Sequence, residues 1–118
     1  MSLSGSEAEA RACDVLRAAG YRIVARNWRS RFGEIDIIAR DGETLAFVEV
    51  KARARDDYGG PAAAVDRAKQ RRLTLTAALF FQETDCDLPA RFDVITLMSE
   101  DTQILKDVFR IEVPCSRD

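Results

Sequence analysis

Residues 33–51, Gly-Glu-Ile-Asp-Ile-Ile-Ala-Arg-Asp-Gly-Glu-Thr-Leu-Ala-Phe-Val-Glu-Val-Lys, decide the fold. Two runs rich in Ile and Val, residues 34–40 and 44–51, flank Asp41 and Gly42. An Asp-Gly pair between such runs is a strong β-hairpin signal. A type I′ turn at Asp41 and Gly42 would set Arg40 opposite Glu43, Asp36 opposite Phe47 and Glu34 opposite Glu49. Directly opposed residues share a face and side chains alternate with period two. Asp36, Glu49 and Lys51 are therefore predicted on one face. A one-residue change in loop length would send Asp36 to the other.

The flanking sequence supplies the rest of the architecture. Residues 6–19 are rich in Ala, Glu and Arg, with Ala12, Val15, Leu16 and Ala19 at helical spacing. Ser6 and Glu9 read as a capping box, and Gly20 stops the helix. Residues 21–28 alternate as a short strand, and residues 27–33 form a basic loop or strand end. Residues 52–61 contain Asp56, Asp57, Gly59, Gly60 and Pro61, the composition of a mobile loop. A long helix is expected over residues 62–82, broken by the acidic residues 83–89. Two closing strands follow at 91–98 and 103–113, around a turn at 99–101. The predicted order is α-β-β-β-α-β-β, a mixed α/β (α+β) domain with a central mixed sheet flanked by helices. Residues 1–118 form one domain, with 1–5 and 114–118 as flexible ends.

Composition narrows the function. The chain has 118 residues, 47% hydrophobic and 32% charged, a globular balance. A chain of this length buries roughly two-thirds of its unfolded surface and needs no disulfide or structural metal to fold. No apolar run approaches the ~18 residues of a membrane span, and residues 1–9 lack the pattern of a signal peptide. The expectation is a soluble cytoplasmic protein. With no histidine, His-based triads, His-ligated zinc and His-based nucleases are excluded. Cys13, Cys86 and Cys115 are scattered, as reduced thiols are, and a catalytic cysteine would lack its usual histidine. Any metal must then sit on oxygen ligands, which means Mg²⁺, Mn²⁺ or Ca²⁺ and no zinc. Net charge is −2, yet residues 51–82 hold 7 basic against 3 acidic groups, and residues 83–118 hold 4 against 9. That asymmetry suits one basic face, and a solvated helix surface accounts for it equally well.

Asp36 and Glu49 on neighbouring strands, with the Val50 carbonyl, make an oxygen-only site for Mg²⁺ or Mn²⁺. A metal there lowers the pKa of its bound water and polarises a phosphate. Lys51 can orient that water or stabilise charge developing at phosphorus. Exposed strand positions also carry charged residues for no chemical reason, and Glu34 and Arg40 fit that plainer reading.

Several segments carry a resemblance: Gly-Glu-Ile-Asp-Ile-Ile-Ala at 33–39, Phe-Val-Glu-Val-Lys-Ala-Arg at 47–53 and Arg-Phe-Asp-Val at 91–94. With residues 20–23, 26–29 and 69–73 between them, they resemble the YraN family of small bacterial proteins over nearly the whole chain, about Glu7 to Arg110. The resemblance implies a restriction-endonuclease-like fold of the PD-(D/E)XK type, similar to archaeal Holliday junction resolvases. It implies Asp36 and Glu49 as metal-binding acids, Lys51 as catalytic lysine and Glu9 as the acid of the first helix. The sequence departs from the pattern at Ala8, where a glycine is expected, and at Ile35, in the position of the motif's proline. Glu7 competes with Glu9 for the helical role.

The remaining candidates have two readings each. Lys69 and Gln70 can reach a phosphate or the active site, or face solvent, and Arg72 lies on the same basic helix. Arg26, Arg29 and Arg31 can track a nucleic-acid backbone. Trp28 reads as a core or edge residue before a base-stacking one. Arg53 and Arg55 are a candidate phosphate clamp, and Asp93 reads as a structural partner. The favoured expectation is a Mg²⁺- or Mn²⁺-dependent endonuclease on DNA rather than RNA, acting on branched or structured substrates. By analogy with the resolvases it would be a homodimer, with no membrane partner. The alternative is a catalytically silent nucleic-acid-binding or interaction module on the same fold.

Overall fold

The computed structural model describes residues 5–52, 65–98 and 101–109. Gly20, at φ 98°, ends helix α1 (Gly5–Ala18). The Gly20 N–H donates to the Arg17 carbonyl and the Tyr21 N–H to the Leu16 carbonyl, the paired bonds of a Schellman cap. Because α1 begins at Gly5, Ser6 sits inside its first turn and does not cap it. The Glu9 carboxylate accepts from Asn27 instead, at 2.8 Å.

Five strands follow the predicted order: β1 (Arg22–Ser30), β2 (Gly33–Asp41), β3 (Thr44–Ala52), then β4 (Ala90–Leu97) and β5 (Thr102–Phe109), with helix α2 (Arg67–Thr84) between β3 and β4. They form one sheet in the order β1-β2-β3-β4-β5, antiparallel throughout except for the parallel pair β3 and β4. A parallel pair needs a long crossover, and α2 lies in it. The first helix and first strand thus match expectation within a residue or two. Helix α2 starts later than expected, at Arg67 after an Asp66 N-cap, and runs to Thr84. Residues 53–64, with the expected loop and its candidates Arg53 and Arg55, lie outside the described residues, as do 99–100 and 110–118. No described helix is long and apolar enough to cross a membrane.

The sheet has a helix on each face. Ala8, Ala12, Cys13 and Leu16 of α1 pack on Ile37, Ala39, Val48 and Ile95. Leu73, Ala77 and Phe80 of α2 pack on Ile38, Leu45, Phe47 and Val94. Phe47 is the hub of the second layer, with ring centroids 5.9 Å from Phe80, 5.8 Å from Phe81 and 5.5 Å from Phe92. Burying such a side chain contributes about 1.5–3 kcal/mol. Trp28 meets Phe80 edge-on at 5.4 Å, so it belongs to this layer, as a core reading of it requires.

The hairpin register corrects the expected turn. Asp41 pairs with Thr44, Ile38 with Phe47 and Ile37 with Val48, so the turn residues are Gly42 and Glu43. Of these, Gly42 alone has positive φ, 64°, as in a type II′ turn. The pairing is displaced by two residues, which brings Asp36 level with Glu49 instead of Phe47. An even displacement preserves the face, so the predicted grouping survives a wrong turn assignment.

Strict alternation does fail at one level. Ile35 and Ile38 lie three apart in β2, yet both pack in the α2 layer, and so do Ala25 and Trp28 in β1. Trp28 pairs with Ile35 and Arg26 with Ile37, so both strands change phase together around Asn27 and Asp36. Asn27 has φ 54°, a left-handed conformation that Asn tolerates better than most residues.

Candidate active site

Asp36, at this bend, has left the β2–β3 ladder, whose last pair is Ile37 with Val48. Its Oδ2 accepts the Val50 N–H at 2.9 Å, occupying a donor the strand would otherwise have used. Burial pushes the Asp36 pKa up to about 6, and the neighbouring Glu49 charge adds to the effect; Glu9 and Glu34 contribute less, and the Val50 N–H opposes. Asp36 is therefore a partly buried acid beside a second carboxylate.

Glu49 is 8% exposed on β3. Its Oε2 lies 2.5 Å from Lys69 Nζ and 3.8 Å from Lys51 Nζ. Among the described residues, the hydrogen bonds and ion pairs of these two acids fall on Asp36 Oδ2 and Glu49 Oε2. Two carboxylates on one cleft fit Mg²⁺ or Mn²⁺, which take few protein ligands and keep several waters. The described residues contain no group of three or more His, Cys, Asp or Glu able to hold a metal. The fit is therefore to an ion carried largely by water and substrate oxygens.

Lys69 reaches Glu49 because of how α2 begins. Asp66 caps the helix by accepting the Lys69 N–H at 2.8 Å, and the Gln70 side chain donates to the Val65 carbonyl at 3.0 Å. Val65 is buried, so the helix start is anchored to the core. An Asp N-cap is worth about 1 kcal/mol. Together β2, β3 and the start of α2 enclose a cleft of about 230 Å³ lined by Gly33, Glu34, Asp36, Glu49, Lys69, Arg72 and Leu73. Gly33 has φ 149°, which a larger residue would adopt only under strain.

Asp36, Glu49, Lys69 and Arg72 thus line one cleft, with Lys51 joined to it through Glu49. Glu9 is tied to Asn27 on β1, at the level of the bend, and reaches Asp36 only through its charge. Arg29 pairs with Glu34 at 3.5 Å on the rim. Arg31 lies over the Phe32 ring at 4.9 Å and is not among the residues that line the cleft. Asn27, Asp66 and Glu34 were not legible as site residues. The Asp66 cap had a signal, an Asp three residues before a helical Lys, which the alanines at 62–64 obscured.

Asp93 is structural, as expected. It is 1% exposed and accepts from Arg91 at 2.9 Å and 3.1 Å, from the Tyr21 hydroxyl at 3.0 Å and from the Asp107 N–H at 2.9 Å. Arg91 also donates to Asp41 at 2.6 Å, holding that carboxyl below its usual range. This network ties α1's cap to β2, β4 and β5. Cys13 and Cys86 are free, and burial pushes the Cys13 thiol up, away from nucleophilic chemistry.

A family model described as "Uncharacterised protein family UPF0102" matches residues 8–97, a span holding every one of these cleft residues. The chain is 44% identical to a UPF0102 protein of Pseudomonas entomophila, covering 84% of this chain and 82% of the relative. It is 39% identical to one of Persephonella marina, covering 93% and 96%, and 51% identical to one of Symbiobacterium thermophilum, covering 77% and 78%.

Proposed function

The chain belongs to the uncharacterised protein family UPF0102, the YraN family, and from the geometry of its cleft we propose that it is a metal-dependent nuclease hydrolysing DNA phosphodiester bonds. The observation that carries this reading is the pair Asp36 and Glu49: a partly buried and a buried acid lining one cleft, beside lysines. A divalent cation is the ligand such a pair suits.

Bound Mg²⁺ or Mn²⁺ would supply a water of lowered pKa and a Lewis acid for the phosphate. Asp36 and Glu49 would hold it, with the Val50 carbonyl as a third oxygen ligand. The Val50 N–H fixes the Asp36 carboxylate, so that acid is oriented before any ligand arrives. Lys51 stands on the face of Glu49, where an ammonium can orient the attacking water or offset charge building on the phosphate oxygens. Arg72, with Arg29 on the rim, supplies cations that a phosphate backbone would meet without reading its bases. Glu9, held by Asn27, is an outer acid for the water shell. The preference for DNA, and for branched DNA on a symmetric dimer, follows the resemblance to junction resolvases.

One observation favours the alternative of a silent binding module: Lys51 and Lys69 both pair with Glu49, as in a structural ion-pair cluster. The test is cleavage of labelled single-stranded, duplex, flapped and four-way-junction DNA in Mg²⁺ or Mn²⁺, beside Lys51→Ala, Asp36→Asn and an EDTA control. Metal-dependent cutting lost in both variants supports the nuclease. Tight binding that persists in EDTA, with no cutting, supports the module.

A further inference from the structure

The Lys69 ammonium lies 2.5 Å from Glu49 Oε2, in direct contact with the acid proposed to hold the metal. Lys51, 3.8 Å from the same oxygen, already offers that carboxylate a counter-charge from its own strand. With Asp36 ionised, the four groups Asp36, Glu49, Lys51 and Lys69 are electrically neutral as a set. Adding a divalent cation leaves that set with an excess of two positive charges. In a half-buried site such an excess is costly, and one ammonium has to move away.

Lys69 is the one placed to move. The two lysine side chains are similarly exposed, 29% for Lys69 and 33% for Lys51, so water can take either charge; Lys69 differs in that its ammonium lies directly on the Glu49 oxygen a metal would use. The helix gains nothing from it. Lys69 occupies the third position of α2, whose first turn has no acidic residue, and a cation there works against the helix dipole. Its contact with Glu49 is the favourable interaction at that position. Removing it leaves a nearly buried carboxylate with Lys51, 3.8 Å away, as its cation among the described residues.

We propose that Lys69 is a built-in stand-in for the divalent cation: it neutralises Glu49 while the site is metal-free, and a metal ion must displace it to bind. This rests on the metal-site reading above and adds to it an internal competitor that sets the metal affinity. The released ammonium, still on the cleft wall beside Arg72, is then available to a phosphate oxygen. Lys69 is thereby a positioning residue in the metal-free protein and a substrate-binding one afterwards.

The test is Mn²⁺ titration by calorimetry of wild type, Lys69→Met, Lys69→Arg, Arg72→Met and Glu49→Gln, with thermal melting of each in EDTA and in Mn²⁺. Lys69→Met is expected to bind Mn²⁺ about tenfold more tightly, the scale of removing one adjacent charge from a partly buried site. It should also melt lower in EDTA and gain more from Mn²⁺ than wild type. Lys69→Arg should retain near-wild-type affinity. Arg72→Met, which removes a cation from the same cleft but not from Glu49, should change affinity by less than about twofold. Equal or weaker Mn²⁺ binding by Lys69→Met, or an equal gain in Arg72→Met, overturns the proposal. In that case Mn²⁺ binding by wild type that is lost in Glu49→Gln leaves the metal site standing. Absence of Mn²⁺ binding in wild type and Lys69→Met alike overturns both.

Discussion

Val50 donates its backbone N–H to Asp36 Oδ2 across 2.9 Å, at the level where β2 and β3 cease to pair. A ladder hydrogen bond is exchanged for a side-chain one, and the exchange turns a strand carboxylate towards its neighbour on β3. The double bend at Asn27 and Asp36 makes this possible without opening the layers above and below.

Asp36 keeps its proton to about pH 6 in the folded chain, against an ordinary value of 3.8. Unfolding therefore releases a proton between those values, and the contribution of Asp36 to stability falls as pH rises through that window. In EDTA, Asp36→Asn should stabilise the protein at pH 7.5 by on the order of 2–3 kcal/mol, with the gain shrinking towards pH 4. Urea unfolding at several pH values measures this. A gain that does not vary with pH would contradict the assignment.

Asp93 holds three separate donors while almost wholly buried. Asp93→Asn leaves the Arg91 guanidinium with Asp41 as its one carboxylate partner among the described residues, beside the Tyr21 hydroxyl, and should cost roughly 3 kcal/mol. Tyr21→Phe removes one hydrogen bond from the same network and should cost about 1 kcal/mol. Chemical denaturation of both variants checks the order of the two effects.

Asn27 joins a left-handed backbone to the bond that holds Glu9. Asn27→Gly relieves the backbone while losing the bond, so its stability should stay within about 1 kcal/mol of wild type. Asn27→Ala retains the unfavourable φ and should cost about 1–2 kcal/mol. Both release Glu9, so cleavage should fall alike in the two. Unchanged cleavage in both would remove Glu9 from the chemistry.

Element order and the facing of Asp36, Glu49 and Lys51 were legible because they depend on local periodicity. The turn at Gly42 and Glu43 was misplaced by one residue, since Asp-Gly and Gly-Glu both allow a two-residue turn and sequence spacing cannot choose between them. The phase change in β1 and β2 was invisible, because it depends on Ile35 and Trp28 both finding room under α2. Lys69 was legible as a cation near a phosphate or the site. Its contact with Glu49 depends on where α2 starts, which the Asp66 cap fixes and the alanine run concealed.

The most direct test of the metal-dependent site is single-turnover cleavage of labelled DNA in Mn²⁺ by wild type and Glu49→Gln, purified side by side and matched for folding by circular dichroism. Cleavage by wild type that stops in EDTA and falls at least about a hundredfold in Glu49→Gln is the predicted result. Equal cleavage by the two proteins, or wild-type cleavage that persists in EDTA, would contradict it.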